Sequence, residues 1–353
     1  MDIVRRLGAG TFVTVAAGIA ILLIVPRVFD LFNVLQITIF AVMAILALSL
    51  SLAWGLGGIL CFGQAAFFGL GGYAYAVAVE NMGDSTIPIL LSFAVPALFA
   101  LALGYFMFLG RLSELYVGVI TLCVSLILFN FFSSTTDPSY KVGKAVLNGF
   151  NGMSNIPQIN IPGYPNAVLD PNATFALVMA SLILVYVICK LLSVSTYGRI
   201  ITAVKQNEDR AELMGYNSAY IKLGIFVISA GIAGYAGCLF ANWNAFISPG
   251  VFSLAMTAQT IIWIIVGGRE TFIGPVLGAV GMQYLTTRLG TTETLDTNLV
   301  LGIILMGFVV LVPEGMVPFV SNGCLQLIGR LRSRPAAPNV AAIAARQQKD
   351  LST

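Results

Sequence analysis

LFNVLQITIFAVMAILALSLSLAWGLGGILCFGQAAFFGLGGYAYAVAV, residues 31–79, runs from Asp30 to Glu80 without one charged side chain. A helix crosses the hydrocarbon of a bilayer with about 20 apolar residues, and a charge at its centre costs about 2.5 to 3.5 kcal/mol on insertion scales. A stretch of this length holds two crossings, placed at 34–53 and 57–79. Working outward, further uncharged windows lie between Arg6 and Arg27, Asp84 and Arg111, Glu114 and Asp137, Asp170 and Lys190, Lys222 and Arg269, Glu270 and Arg288, and Asp296 and Glu314. The Lys222 to Arg269 window is also of double length. The fold is therefore read as all-α, a polytopic transmembrane helical bundle of about ten spans, the rest near 8–25, 87–109, 115–133, 173–192, 222–243, 255–268, 271–287 and 298–313. The short pair 255–268 and 271–287, joined by Gly267-Gly268-Arg269-Glu270, reads either as two tilted spans or as a re-entrant pair beside eight spans.

Composition points the same way: 58% of the 353 residues are hydrophobic and 9% charged, against about 25% charged in a soluble domain. The net charge of +3 argues against a nucleic-acid partner. With both termini cytoplasmic, only Arg27, Lys141, Lys144 and Arg288 of the 18 Lys and Arg fall outside, as the positive-inside rule requires. Arg5 and Arg6 precede an apolar run that lacks a small-residue cleavage site at Val25-Pro26-Arg27, so the run is read as a retained first helix. The chain divides into a transmembrane domain over 1–313 and a cytoplasmic interfacial segment with a basic, flexible tail over 314–353. Within the domain, 134–172 is an outer loop, expected to be ordered, and 193–221 a cytoplasmic segment.

There is no histidine, which removes the usual zinc sites, general bases and proton relays. Cys61, Cys123, Cys189, Cys238 and Cys324 have no CxxC spacing and read as buried thiols. No carboxylate lies deep in a window, so proton or sodium coupling is disfavoured. No GxxxxGK[ST] loop is present, so if transport is active, the nucleotide-binding engine has to be another polypeptide. The chain reads as a transport subunit rather than an enzyme, with no cofactor of its own.

Small residues recur where helices must pack closely or break. Ala230, Ala233, Gly234 and Gly237, and Gly274 with Gly278, have packing spacing; Gly55-Leu56-Gly57-Gly58 reads either as tight packing or as a helix interrupted beside a transport path. Gln64, Tyr73, Thr121, Ser125, Asn130, Gln259 and Thr260 are uncharged polar residues inside spans and are the candidates for a solute path. The alternative for each is a hydrogen bond to a neighbouring helix.

Between 192 and 222 the sequence alternates apolar residues with both signs of charge and reaches Gly215, a C-terminal stop. A single helix over 199–215 is expected along the cytoplasmic surface, with Ile200, Val204 and Met214 packed inward.

Gly198-Arg199, Ala203-Val204-Lys205-Gln206-Asn207-Glu208, Gly215-Tyr216-Asn217 and Ser229-Ala230-Gly231-Ile232-Ala233-Gly234-Tyr235-Ala236-Gly237 closely resemble the membrane subunits of branched-chain amino acid ABC importers. So do Phe62-Gly63-Gln64-Ala65-Ala66-Phe67-Phe68-Gly69-Leu70-Gly71-Gly72-Tyr73, Asn151-Gly152-Met153 and Val266-Gly267-Gly268-Arg269-Glu270-Thr271-Phe272-Ile273-Gly274-Pro275. The resemblance implies a bacterial inner-membrane permease working with a second homologous permease, two cytoplasmic ATPase subunits that bind ATP and Mg, and a periplasmic solute-binding protein. It also implies that the segment carrying Glu208 docks on an ATPase, giving Arg199, Glu208, Arg210 and Gly215 as coupling residues. The wider family includes importers of urea and short-chain amides, an alternative substrate class; a membrane-embedded enzyme or a passive channel is more distant.

Overall fold

The structure, a computed structural model, describes residues 9–137, 139–161 and 164–290, with isolated positions between 300 and 316. Both termini, and almost all of the 298–313 window and the 314–353 tail, lie outside the described residues. The helices are α1 Ala9–Val28, α2 Leu31–Leu50, α3 Gln64–Met82, α4 Thr86–Leu109, α5 Glu114–Ser134, α6 Pro171–Val194, α7 Thr196–Gln206, α8 Glu208–Leu213, α9 Ser218–Asn244, α10 Leu254–Gly267 and α11 Ile273–Gly290. Six of them, α1, α2 with the turn that extends it, α4, α5, α6 and α9, are long and apolar enough to cross a membrane. The protein is a multi-pass membrane protein.

Burial sorts these helices by composition. α2 is buried almost all round from Phe40 to Leu50, as a helix without a polar face must be at the centre of a bundle. α1 is peripheral, with Phe12, Val13, Leu23 and Ile24 exposed. α3 has Gln64, Tyr73 and three glycines in its buried set. It is covered by protein rather than lipid, so its surface need not be uniformly apolar. Its glycines let it touch α9 backbone to backbone: a Cβ on Gly71 would sit 2.2 Å from the Gly234 Cα, and one on Gly237 would sit 1.9 Å from the Phe68 carbonyl. Approach this close, by small residues, replaces the hydrophobic drive that helices lack in lipid.

The crossing expected at 57–79 starts later, at Gln64. α2 widens into a π-helical turn over Ser51–Leu56, closed by Gly57 N–H to the Leu52 carbonyl at 3.2 Å and Gly58 N–H to the Trp54 carbonyl at 3.1 Å. Gly58 then takes φ +71°, and residues 57–63 form a non-helical link. Of the two readings of the glycine run, the interrupted helix is the one that forms. Close packing accompanies it, since a Cβ on Gly55 would fall 2.4 Å from the Arg269 carbonyl.

The connections gather at two ends. At one, α7 and α8 lie beside the π-helical turn, Arg111 and the α10 to α11 turn. At the other, the segment between α5 and α6 forms short antiparallel ladders: β1 Lys141–Val142 with β2 Ala145–Val146, β4 Asn160–Ile161 with β5 Tyr164–Val168, and β3 Met153–Ser154 with β6 Phe246–Ile247, which follows α9. Asn81 holds this segment by donating to the Val142 carbonyl at 2.8 Å and accepting from Lys144 N–H at 2.7 Å. Asn160 holds it again, accepting from Ser85 N–H at 2.8 Å and donating to Asp84 at 2.9 Å.

Candidate functional site

The expected path residues do not converge on one chamber inside this chain. Gln64, the first residue of α3, is buried. Its amide donates to the Ser49 hydroxyl at 2.7 Å and the Ser229 hydroxyl at 3.0 Å, while Ser229 donates to the Ser49 carbonyl at 2.7 Å. Three helices, α2, α3 and α9, thus meet in one polar contact just before the π-helical turn. Neither Ser49 nor Ser229 is among the expected path residues. Ser49 has only its polarity in an uncharged window as a signal, while Ser229 also opens one of the stretches that carry the family resemblance.

Thr121 and Ser125 stack on the inner face of α5. Thr121 donates to the Gly118 carbonyl at 2.9 Å and accepts from Phe62 N–H at 3.1 Å, so it fastens the 57–63 link, and Ser125 donates to the Thr121 carbonyl at 3.3 Å. Asn130 is on the outer face of α5, bonded to the Leu126 carbonyl of its own helix at 2.9 Å. On α10, Thr260 is buried and bonded to the Met256 carbonyl at 2.8 Å, and Gln259 is half-buried.

Tyr73, Phe132 and Phe252 form one cluster of stacked rings, with the Tyr73 centroid 4.2 Å from Phe132 and 5.7 Å from Phe252 and the two phenylalanines 5.1 Å apart. Its buried hydroxyl has no hydrogen-bond partner among the described residues. Beside it opens a cavity of about 410 Å³ lined by Leu70, Tyr73, Val77, Leu91, Val95 and Phe132 among others. The lining suits an aliphatic group.

The surface segment is two helices, not one. Asn207 leaves the helical region at φ −159°, ψ 104°, and its side chain accepts from Arg210 N–H at 2.9 Å. An asparagine followed by Glu208 and Asp209 is a helix start, through its cap and the charge at the helix dipole. The break resets the helical phase. Ile201, Val204 and Ala211 are buried and Ile200 is half-buried, whereas Met214, expected inside, is 76% exposed next to Leu213 at 87%. Gly215 follows at φ +89°, the left-handed stop that the sequence called for.

Glu208 is bonded within the chain, at 2.6 Å to Lys222 at the start of α9. Burial pushes its carboxyl up, but the Lys222 hydrogen bond and charge, with Ser218, outweigh this and hold it below the usual range. Arg199 bonds Thr196 at 3.3 Å and is exposed, as is the Arg210 side chain. A groove of about 490 Å³ lies alongside, lined by Arg111, Glu212, Gly215, Tyr216 and Tyr220 among others.

Residues 33–311 match the family described as "Branched-chain amino acid transport system / permease component". Among curated proteins, the chain is 26% identical over 305 residues to the "High-affinity branched-chain amino acid transport system permease protein LivM" of Escherichia coli, covering 80% of this chain and 69% of that protein. The protein of the same name from Salmonella typhimurium is 27% identical over 297 residues, covering 78% and 67%. No solved structure matches the chain.

Proposed function

Since the chain belongs to the family of branched-chain amino acid transport system permease components, we propose that it is the membrane-spanning subunit of an ATP-driven importer that passes a branched-chain amino acid across the bacterial inner membrane. The observation that carries this reading is the family match across residues 33–311, which takes in both the polar contact at Gln64 and the α7 to α8 surface pair. A second homologous permease, two ATPase subunits holding ATP and Mg, and a periplasmic binding protein complete the machine. The end bearing α7 and α8 is cytoplasmic and meets an ATPase through Arg199, Arg210 and the exposed Leu213 and Met214, while Glu208 and Gly215 fix the shape of the pair. The ordered segment between α5 and α6 faces the binding protein.

Neutral polar groups at Gln64, Thr121, Ser125 and Thr260, and the aliphatic cavity beside Tyr73, support a zwitterion with an apolar side chain over a strongly charged solute. Asn130, on an otherwise apolar outer face, faces the second permease along a path between the two. The test is ATP-dependent uptake of isotope-labelled leucine and urea in a strain lacking and then regaining this chain. Leucine uptake should return with the chain. Return of urea uptake alone would overturn the substrate, and return of neither would overturn the transport role.

A further inference from the structure

The interrupted helix ends where a helix is electrically least satisfied, with carbonyls that lack backbone donors and the negative end of its dipole. At the π-helical turn the Gly55 carbonyl receives the Lys205 ammonium from α7 at 2.6 Å, across 150 positions of sequence. A cation on a terminal carbonyl is a strong, charge-assisted hydrogen bond. The rest of the Lys205 side chain lies along Gly58, where a Cβ would come within 2.8 Å of its Cγ. Beyond Gly58 the chain passes the buried Ile59 and Cys61 and enters α3 at Gln64. Behind the turn, Ser49 takes the Gln64 amide. Both flanks of the break are thereby referred to one surface lysine.

We propose that Lys205 is the positioning residue that ties the surface helix α7 to the interrupted α2 to α3 crossing, so that displacement of α7 moves the 57–63 link and, with it, the polar contact at Gln64. The contribution of Lys205 to transport rests on the importer reading above; its contribution to the link does not. Lys205 contacts no solute in this scheme. It sets where the break sits, and Gly58 is glycine because the lysine stem needs the space and the backbone needs a positive φ.

The test uses the complete transporter purified with its ATPases, in parent, Lys205→Met and Lys205→Arg forms. Two quantities are read: the rate at which maleimide labels Cys61, located by peptide mass spectrometry, and leucine taken up per ATP hydrolysed in proteoliposomes with binding protein. Loss of a charge-assisted hydrogen bond should raise Cys61 labelling and lower uptake per ATP about tenfold each in Lys205→Met, with basal hydrolysis kept and both values restored in Lys205→Arg. If Lys205→Met does not assemble, Gly58→Ala presses on the same contact from the other side and should likewise expose Cys61. Unchanged Cys61 labelling in whichever variant assembles overturns the tie. If the parent itself drives no leucine uptake, the importer reading fails while Cys61 labelling still decides the tie.

Discussion

Lys222 closes a 2.6 Å ion pair on Glu208, joining the first turn of α8 to the start of α9. Glu208 is therefore engaged within the chain, at the point where the surface helix meets the bundle. A half-exposed pair of this kind contributes about 0.2 to 1 kcal/mol. Glu208→Gln is thus expected to lower solute-stimulated ATP hydrolysis by up to about fivefold without loss of assembly. The sign with pH follows from the depressed carboxyl: the pair's contribution is present above the ordinary glutamate range and is lost as pH falls through the lowered value. Lys222→Met removes the attraction and leaves the burial, so acid inactivation should begin at higher pH. A pH profile of stimulated hydrolysis that is the same in the parent and Lys222→Met would refute this role.

Gly215 stands at φ +89° with nothing within 4 Å of where a Cβ would be, so replacing it is a matter of backbone strain alone. Gly215→Val should cost about 1 to 2 kcal/mol, the penalty of left-handed backbone for residues with a Cβ. Gly215→Asn should cost less, since asparagine tolerates that region. The readout is thermal unfolding together with stimulated hydrolysis. Equal effects of valine and asparagine would show that conformation is not the cause.

The contact between α3 and α9 leaves no room for even one methyl group. Gly237→Ala would drive a Cβ to 1.9 Å from the Phe68 carbonyl, whereas Gly281→Ala meets nothing within 4 Å. Overpacking of a rigid backbone contact costs about 1 to 3 kcal/mol or more. Gly237→Ala is expected to reduce the yield of folded permease in detergent chromatography, and Gly281→Ala to match the parent. Parental yield from Gly237→Ala would show that the helices can separate freely.

Asn160, buried at 4% exposure, is the far-end counterpart. Its hydrogen bond is the leading cause holding the half-buried Asp84 carboxyl below its usual range, with Thr86 and Ser85 assisting. Asn160→Ala strands the Ser85 amide, which costs about 1 to 3 kcal/mol when buried. Limited proteolysis should then cut within 134–170 earlier than in the parent, and the affinity for the binding protein should fall. An unchanged digestion pattern would refute the anchoring role.

Charge gaps locate helices because a charge in hydrocarbon is expensive wherever it falls in the sequence, and the long apolar helices are centred on those gaps, with α1, α6 and α9 running past a bounding charge at Arg27, Lys190 and Lys222. The gaps are blind to breaks made by uncharged residues. Nothing in the charge pattern separates 57–63 from Gln64, so the start of α3 was misplaced, although the glycine run marked the spot. The break at Asn207 was legible in principle as an asparagine cap before two acids. The apolar residues on either side of it also thread onto one continuous helix, and that threading places Met214 inside. What single-chain periodicity cannot supply is a partner far along the sequence. Ser229 for Gln64 and Lys205 for Gly55 are 165 and 150 positions away, and only the packing of α9 and α7 brings them together.

The contact at Gln64 separates a structural from a transport role most cleanly. Leucine fills nearly the volume of glutamine, and removing the amide leaves no hydroxyl donor stranded: Ser49 still donates to the Leu46 carbonyl at 2.6 Å and Ser229 to the Ser49 carbonyl at 2.7 Å. Gln64→Leu should therefore insert and assemble normally. Hydrogen bonds between membrane helices contribute about 0.6 kcal/mol on average and about 1.7 at most, so any larger loss of transport exceeds what the lost packing contact can explain. We expect uptake to fall more than about twentyfold in Gln64→Leu and comparably in Ser229→Ala, beyond that energy scale. The double variant should fall little further, because the two side chains form one contact and their effects are not additive. Thermal unfolding of all three variants provides the control. Full uptake in Gln64→Leu would remove Gln64 from the transport path. Additive losses with matching drops in unfolding temperature would reduce the contact to a helix fastener.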